Sequence, residues 1–146
     1  MKTSKRGVDL IKKYEGLSLK AYRCPSGIWT VGYGSTKGVR PWTVITLSQA
    51  EQRLREEIQI AEQAVDQVYY LQKMLKSCQY DALVSLVFNI GGSAFASSTL
   101  RKRVVGNPGD PRIRQEFERW IYAGGKPLAG LIARRAEEAD LYFAEN

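Results

Sequence analysis

The chain of 146 residues contains no histidine. That absence excludes Ser-His and Cys-His nucleophile pairs and any His-ligated zinc site. Acid–base work must fall to Glu, Asp, Cys, Lys or Tyr. The two cysteines, Cys24 and Cys78, are too few for a disulfide framework or a four-thiolate zinc site. No apolar run approaches the roughly 20 residues a membrane helix needs. The N-terminus, MKTSKRGVDLIKKYEG, is basic and amphipathic, without the unbroken apolar core of a signal peptide. The expectation is a chain that neither exports nor anchors itself. Internal repeats and low-complexity tracts are absent as well. So is any Asp or Glu between Glu15 and Glu51.

What remains is ordinary for a globular protein: 44% apolar residues and enough length for one domain or two small lobes sharing a core. The net charge of +7 fits a soluble basic surface or a polyanionic partner such as nucleic acid, anionic lipid or an acidic cell wall. A nucleic-acid reader gathers Lys and Arg on one helix. Here the run Arg101-Lys102-Arg103 is short and the other cations are scattered, so no nucleic-acid partner is expected.

Spacing gives the elements. Val8, Ile11 and Tyr14 recur as on a helix over residues 4–14, stopped by Gly16, which leaves Glu15 at its C-terminal edge. There it faces the negative end of the helix dipole, which disfavours the ionised form and suits a proton donor. The runs LKAYR and IWTVGYG flank the turn CPSG and read as a hairpin. GYGSTKG turns the backbone and lacks the context of a nucleotide loop. Ser48-Gln-Ala-Glu51 has the form of a capping box, opening a long helix with the stripe Leu54, Ile58, Ala61, Val65, Val68. Residues 80–92 are apolar all round, the mark of a central helix, with Asn89 as the polar exception. A short helix follows Ser97 or Ser98. Asp110 and Pro111 open another, with Ile113, Phe117, Trp120 and Ile121 on its core face. YAGGKP breaks the chain before a last helix over 128–143. The picture is α+β: a small hairpin lobe, a larger helical lobe, and a cleft between them fit for a polymer.

Glycosidic bonds are usually cut by two carboxylates. Glu15 is a candidate donor, or else a solvated helix-end acid. A second carboxylate has to come from residue 51 or beyond. Cys24 is a candidate nucleophile, an electrostatic partner, or a structural half-buried cysteine. Thr30 has a hydroxyl able to place a water, or is simply a strand threonine.

Glu15-x8-Cys24-x5-Thr30 resembles the catalytic signature of the phage lysozymes, the endolysins of glycoside hydrolase family 24, which carry Asp or less often Cys at the middle position. YEG-x-x-L-x-AY, G-x-WTVGYG, DALVSLVFNIGGSAFASSTL, RWIYAGGK and GLIARRAEEADLY resemble further blocks of that family, in order along almost the whole chain. The resemblance implies a single lysozyme-like domain over 1–146, with a β-containing lobe at about 15–60 and a helical lobe at about 65–146 plus the first helix. It implies a peptidoglycan muramidase that cuts the β-1,4 bond between N-acetylmuramic acid and N-acetylglucosamine without metal or cofactor. Glu15 would be the general acid, Thr30 the water-placing hydroxyl, and Cys24 the occupant of the Asp position. Asn89 matches the cleft-lining residue of FN-x-G, and Arg135 or Arg134 the cation facing the glutamate. The protein would act as a monomer on the wall, with no membrane segment. It would wait in the host cytoplasm for a holin, or be a truncated signal-arrest-release form. A lytic transglycosylase using Glu15 alone and an inactive glycan-binding domain are the competing readings. Cys78 is expected to be a small buried hydrophobe rather than a disulfide partner of Cys24.

Overall fold

The computed structural model describes residues 1–71 and 73–145. Helix α1, Lys5–Glu15, stops at Gly16, whose φ of 69° ends the spiral while its N–H still reaches Lys12 O at 3.0 Å. Strands β1 (Ser18–Arg23) and β2 (Trp29–Gly32) pair antiparallel, with Tyr22 opposite Thr30 and Arg23 opposite Trp29. Their turn is closed by Cys24 N–H to Ile28 O at 3.0 Å and Gly27 N–H to Cys24 O at 2.8 Å. An extended segment continues the sheet beyond β1. Ala21 N–H donates to Thr43 O and Ile45 N–H to Leu19 O, each at 2.9 Å, and Lys20 sits opposite Val44.

Helix α2, Leu47–Leu71, runs 25 residues, roughly 37 Å at 1.5 Å per residue. Its capping box lies two residues earlier than the sequence reading placed it. Thr46 N–H donates to Gln49 Oε1 at 2.9 Å, and Gln49 N–H to Thr46 Oγ1 at 3.1 Å. Glu51 is drawn elsewhere, onto Lys12 Nζ at 3.0 Å and the Tyr33 hydroxyl at 2.9 Å. The expected stripe, Leu54 through Val68, is buried.

Helix α3, Ser77–Ile90, is enclosed from Cys78 to Val87 and packs on α1, α2 and α7. A one-turn helix α4, Gly92–Ala96, was not legible in advance. Helix α5, Thr99–Gly106, is capped by Ser98, whose hydroxyl accepts from Arg101 N–H at 3.1 Å. Helix α6, Ile113–Glu118, begins two residues after Pro111 and ends before Trp120 and Ile121, which are only partly buried; Ile113 and Phe117 fill the core. YAGGKP is itself a hairpin, β3 (Tyr122–Ala123) with β4 (Lys126–Pro127). Gly124 and Gly125 supply the two positive φ values, 59° and 78°, that such a two-residue turn requires. Helix α7, Ala129–Tyr142, closes the fold against α3 and α6.

A continuous apolar core joins Val31, Tyr33 and Ile45 of the hairpin region to the helices. Cys78 lies within it, its thiol 3.3 Å from Ala144 O, and Cys24 and Cys78 are not joined in a disulfide. Among the described residues no helix is long and apolar enough to cross a membrane.

Candidate active site

Glu15 ends α1 with its side chain 19% exposed, open to solvent on one side only. The sequence supplies no nearby partner, but the fold brings one from 119 residues away. Arg134 Nη1 donates to Glu15 Oε1 at 2.8 Å. Arg134 itself is 4% exposed. It also donates through Nη2 to Ser85 O and through Nε to Glu138 Oε2, both at 3.2 Å, and its guanidinium lies over the Tyr14 ring. Three fixed contacts therefore aim one oxygen of Glu15 at the protein. The other oxygen, Oε2, faces Gly34. A Cβ built at Gly34 would stand 2.5 Å from it, and the φ of +80° there already favours glycine. Gly34 thus lets the loop after β2 close onto the carboxylate.

Arg135, the cation the sequence reading put first, does not face Glu15; Arg134 takes that place. It is fully buried, within 2.7 Å of Glu138 Oε1 but out of line for a hydrogen bond. Desolvation pushes the buried Glu138 carboxyl above the usual range, and the two guanidiniums offset part of that; the Ser85 hydroxyl donates to Oε2. Arg135 Nη2 donates to Asn89 Oδ1 at 2.8 Å. Asn89 is exposed at the end of α3. Because its oxygen is taken by Arg135, its NH2 group is the part turned outward. A chain of charges thus runs from Glu15 through Arg134, Glu138 and Arg135 to Asn89.

Cys24 and Thr30 come from the hairpin. Thr30 is 3% exposed and donates to Ile28 O at 2.9 Å. Cys24 Sγ is 2.9 Å from Ser26 Oγ. The Ser26 hydroxyl first, then the backbone at Ile28, with a smaller contribution from the Thr30 hydroxyl, pull the Cys24 thiol down to about 7. The sulfur is therefore partly thiolate at neutral pH, without any histidine. The basic neighbours Lys20 and Arg23 are not the cause; Arg23 lies over the Trp29 ring.

Glu57 was not anticipated as part of this region. It sits half-buried on α2, beside a recess of about 390 Å³ walled by Gly34, Ser35, Thr36, Lys37 and Arg53. Burial raises its carboxyl above the usual range, the Ser35 hydroxyl and Arg53 oppose this, and the charge of Glu15 adds to it. Arg53 Nη1 ties the same loop down, donating to Ser35 Oγ at 3.1 Å and Lys37 O at 3.0 Å. The only sequence signal was its heptad neighbourhood: Glu57 precedes the buried Ile58 and shares the hairpin-facing side of α2 with Arg53.

A helical body, a small antiparallel hairpin and a half-buried glutamate held by a buried arginine where the first helix meets the hairpin are the features of a lysozyme-type glycoside hydrolase. The family model of the phage lysozymes matches residues 12–138, and the chain belongs to that family. It is 47% identical over 148 residues to an endolysin of Acyrthosiphon pisum secondary endosymbiont phage 1, covering 97% of this chain and 98% of that one. The endolysin from Escherichia coli O157:H7 phage FAHEc1 superposes with a TM-score of 0.88 at 35% identity, over 98% of this chain and 94% of that one. The muramidase domain of SpmX from Asticaccaulis excentricus gives a TM-score of 0.86 at 36% identity, over 99% of both. Endolysins of Bacillus phages PZA and B103 also match, and the chain spans only about half of their length.

Proposed function

We propose that this protein is a muramidase that cuts the β-1,4 bond between N-acetylmuramic acid and N-acetylglucosamine in peptidoglycan, for lysis of the host cell. The observation that carries the reading is the hold on Glu15: Arg134 fixes Oε1, and Oε2 faces Gly34 with no other side chain donating to it among the described residues. In the proposed reaction Glu15 Oε2 gives its proton to the glycosidic oxygen as the C1–O bond breaks. A water held by the Thr30 hydroxyl bonds to C1 from the opposite face. The Cys24 thiolate takes that water's proton, and the course is inverting. Asn89 presents its NH2 to the N-acetyl or hydroxyl groups of the sugar chain, with Arg135 as the support that orients it. The chain acts as a monomer without metal or cofactor. It reaches the wall from the host cytoplasm once a holin opens the membrane.

Mass spectrometry of a digest of purified sacculi tests this. Products heavier by one water per cut, with reducing N-acetylmuramic acid ends, are expected. Anhydro ends would make the protein a lytic transglycosylase, and an absence of cutting would make it a glycan binder.

A further inference from the structure

Gly34 lies against Glu15 Oε2, so the path of the loop that carries Gly34 sets where that oxygen can go. A glutamate carboxyl turns about its last bond with little resistance. Arg134 holds only Oε1. Oε2 is kept in line from the other side, by the loop after β2.

That loop is soft by composition. Gly32, Gly34 and Gly38 take positive φ values of 67°, 80° and 69°. Ser35 N–H donates to Val31 O at 2.9 Å and Val31 N–H to Ser35 O at 2.8 Å, which closes a turn but ties it only to β2. Two side chains of α2 hold it on either side of Gly34. Before Gly34, the Tyr33 hydroxyl donates to Glu51, which also holds Lys12 of α1. After Gly34, Arg53 Nη1 donates to Ser35 Oγ at 3.1 Å and to Lys37 O at 3.0 Å. Ser35 is buried, so Arg53 and not water serves its hydroxyl. Glu56 and Glu57 follow Arg53 on its own helix, yet Nη1 is directed to loop residues 18 and 16 positions away. One turn further along α2, Glu57 feels the charge of Glu15, which sets this face of the helix beside the site.

We propose that Arg53 is a positioning residue for the proton donor: by tying Ser35 and Lys37 to α2, it holds Gly34 against Oε2 and keeps the donor oxygen of Glu15 in its working orientation. The inference rests on Glu15 being that donor. Arg53 acts through the loop and not on the sugar.

Initial rates on a soluble peptidoglycan fragment test this. Arg53→Met keeps the alkyl stem and removes every donor. Its kcat should fall by about tenfold with KM within about twofold of the parent, the pattern of a misplaced reacting group. Arg53→Lys should recover part of the loss, because an ammonium can reach one acceptor but does not repeat the fork. Ser35→Ala keeps the tie to Lys37 O. It should lower kcat by about threefold and add nothing to Arg53→Met, since both act through one loop. With Glu15→Gln already present, Arg53→Met should lower the residual rate no further, which separates a hold on Glu15 from a role in folding or substrate binding.

An unchanged kcat in Arg53→Met would overturn the proposal. So would a rise in KM alone, which would make Arg53 a substrate contact, or the same tenfold loss in the Glu15→Gln background. Ser35→Ala, measured in the same two backgrounds, decides the question where Arg53→Met does not fold at the assay temperature. A parent that does not cut, or a Glu15→Gln variant that cuts at the parent's rate, would overturn the reading of Glu15 and this inference with it, so the two failures are told apart.

Discussion

Glu15 and Cys24 lie nine residues apart in sequence, yet the protein holds them by opposite means. Glu15 is fixed by the helical side, through Arg134, itself buried and tied to Glu138 and Ser85 O. Cys24 is fixed by its own turn, through Ser26 and the backbone at Ile28, with little burial. A buried charge cluster holds one atom rigidly, but removing one of its members leaves the others stranded. A turn holds its atom more loosely and costs little to alter. The two walls should therefore fail differently: changes to the buried members of the helical wall cost stability and activity together, and changes on the hairpin wall cost activity alone.

The largest effect on rate is expected from Glu15→Gln. Cutting of sacculi should fall by about 10²–10⁴-fold, the range a positioned proton donor supplies. The melting temperature should stay near that of the parent, because the amide oxygen can still accept from Arg134. Arg134→Ala breaks the helical wall instead. It strands Glu138 and Ser85 O, and urea unfolding should register a loss of about 3–5 kcal/mol alongside lost activity. Arg134→Lys should recover part of the stability but less of the rate, since an ammonium cannot repeat the fork.

On the hairpin wall, Cys24→Ser should lower activity by about 100-fold with no change in melting temperature, because a hydroxyl is a far weaker proton acceptor. Cys24→Asp should keep most of it. The sign of the pH effect follows from the ionisation of the thiol. The parent's activity should rise as pH passes upward through about 7 and fall below it, where the sulfur is protonated. In Cys24→Asp that limb should move to lower pH, which a pH–rate profile reads directly. Gly34→Ala joins the walls: its Cβ would press on Oε2 of Glu15, and a loss of about tenfold in kcat is expected from the displaced carboxyl. The smallest effect should come from Glu57→Gln, a few-fold change in rate, since Glu57 acts on Glu15 only through space.

The hairpin wall was legible in the sequence and most of the helical wall was not, for a physical reason. Cys24 and Thr30 fall within seven residues of one hairpin, and its CPSG turn fixes their relation locally. The choice between Arg134 and Arg135 depends on how far α7 is rotated about its axis against α3, and two adjacent residues differ there by about 100°. Packing turns Arg134 to Glu15 and buries Arg135 beneath Asn89. Sequence also misplaced the capping box of α2. Ser48 and Glu51 satisfy the pattern as well as Thr46 and Gln49 do, and only the ion pair of Glu51 with Lys12, 39 residues away, separates the two. The stripe from Leu54 to Val68 needed no such distant information, and it is buried as read.

The account rests on two groups that act from opposite faces of one sugar, a carboxyl that gives a proton and a thiolate that takes one from water. Proton NMR of a soluble glycan fragment, read in the first minutes of cutting before the new end mutarotates, tests this most directly. The account predicts that the new reducing end first appears as the α anomer, inverted from the β bond. A β anomer would contradict it, because retention would mean that Cys24 had bonded to the sugar carbon.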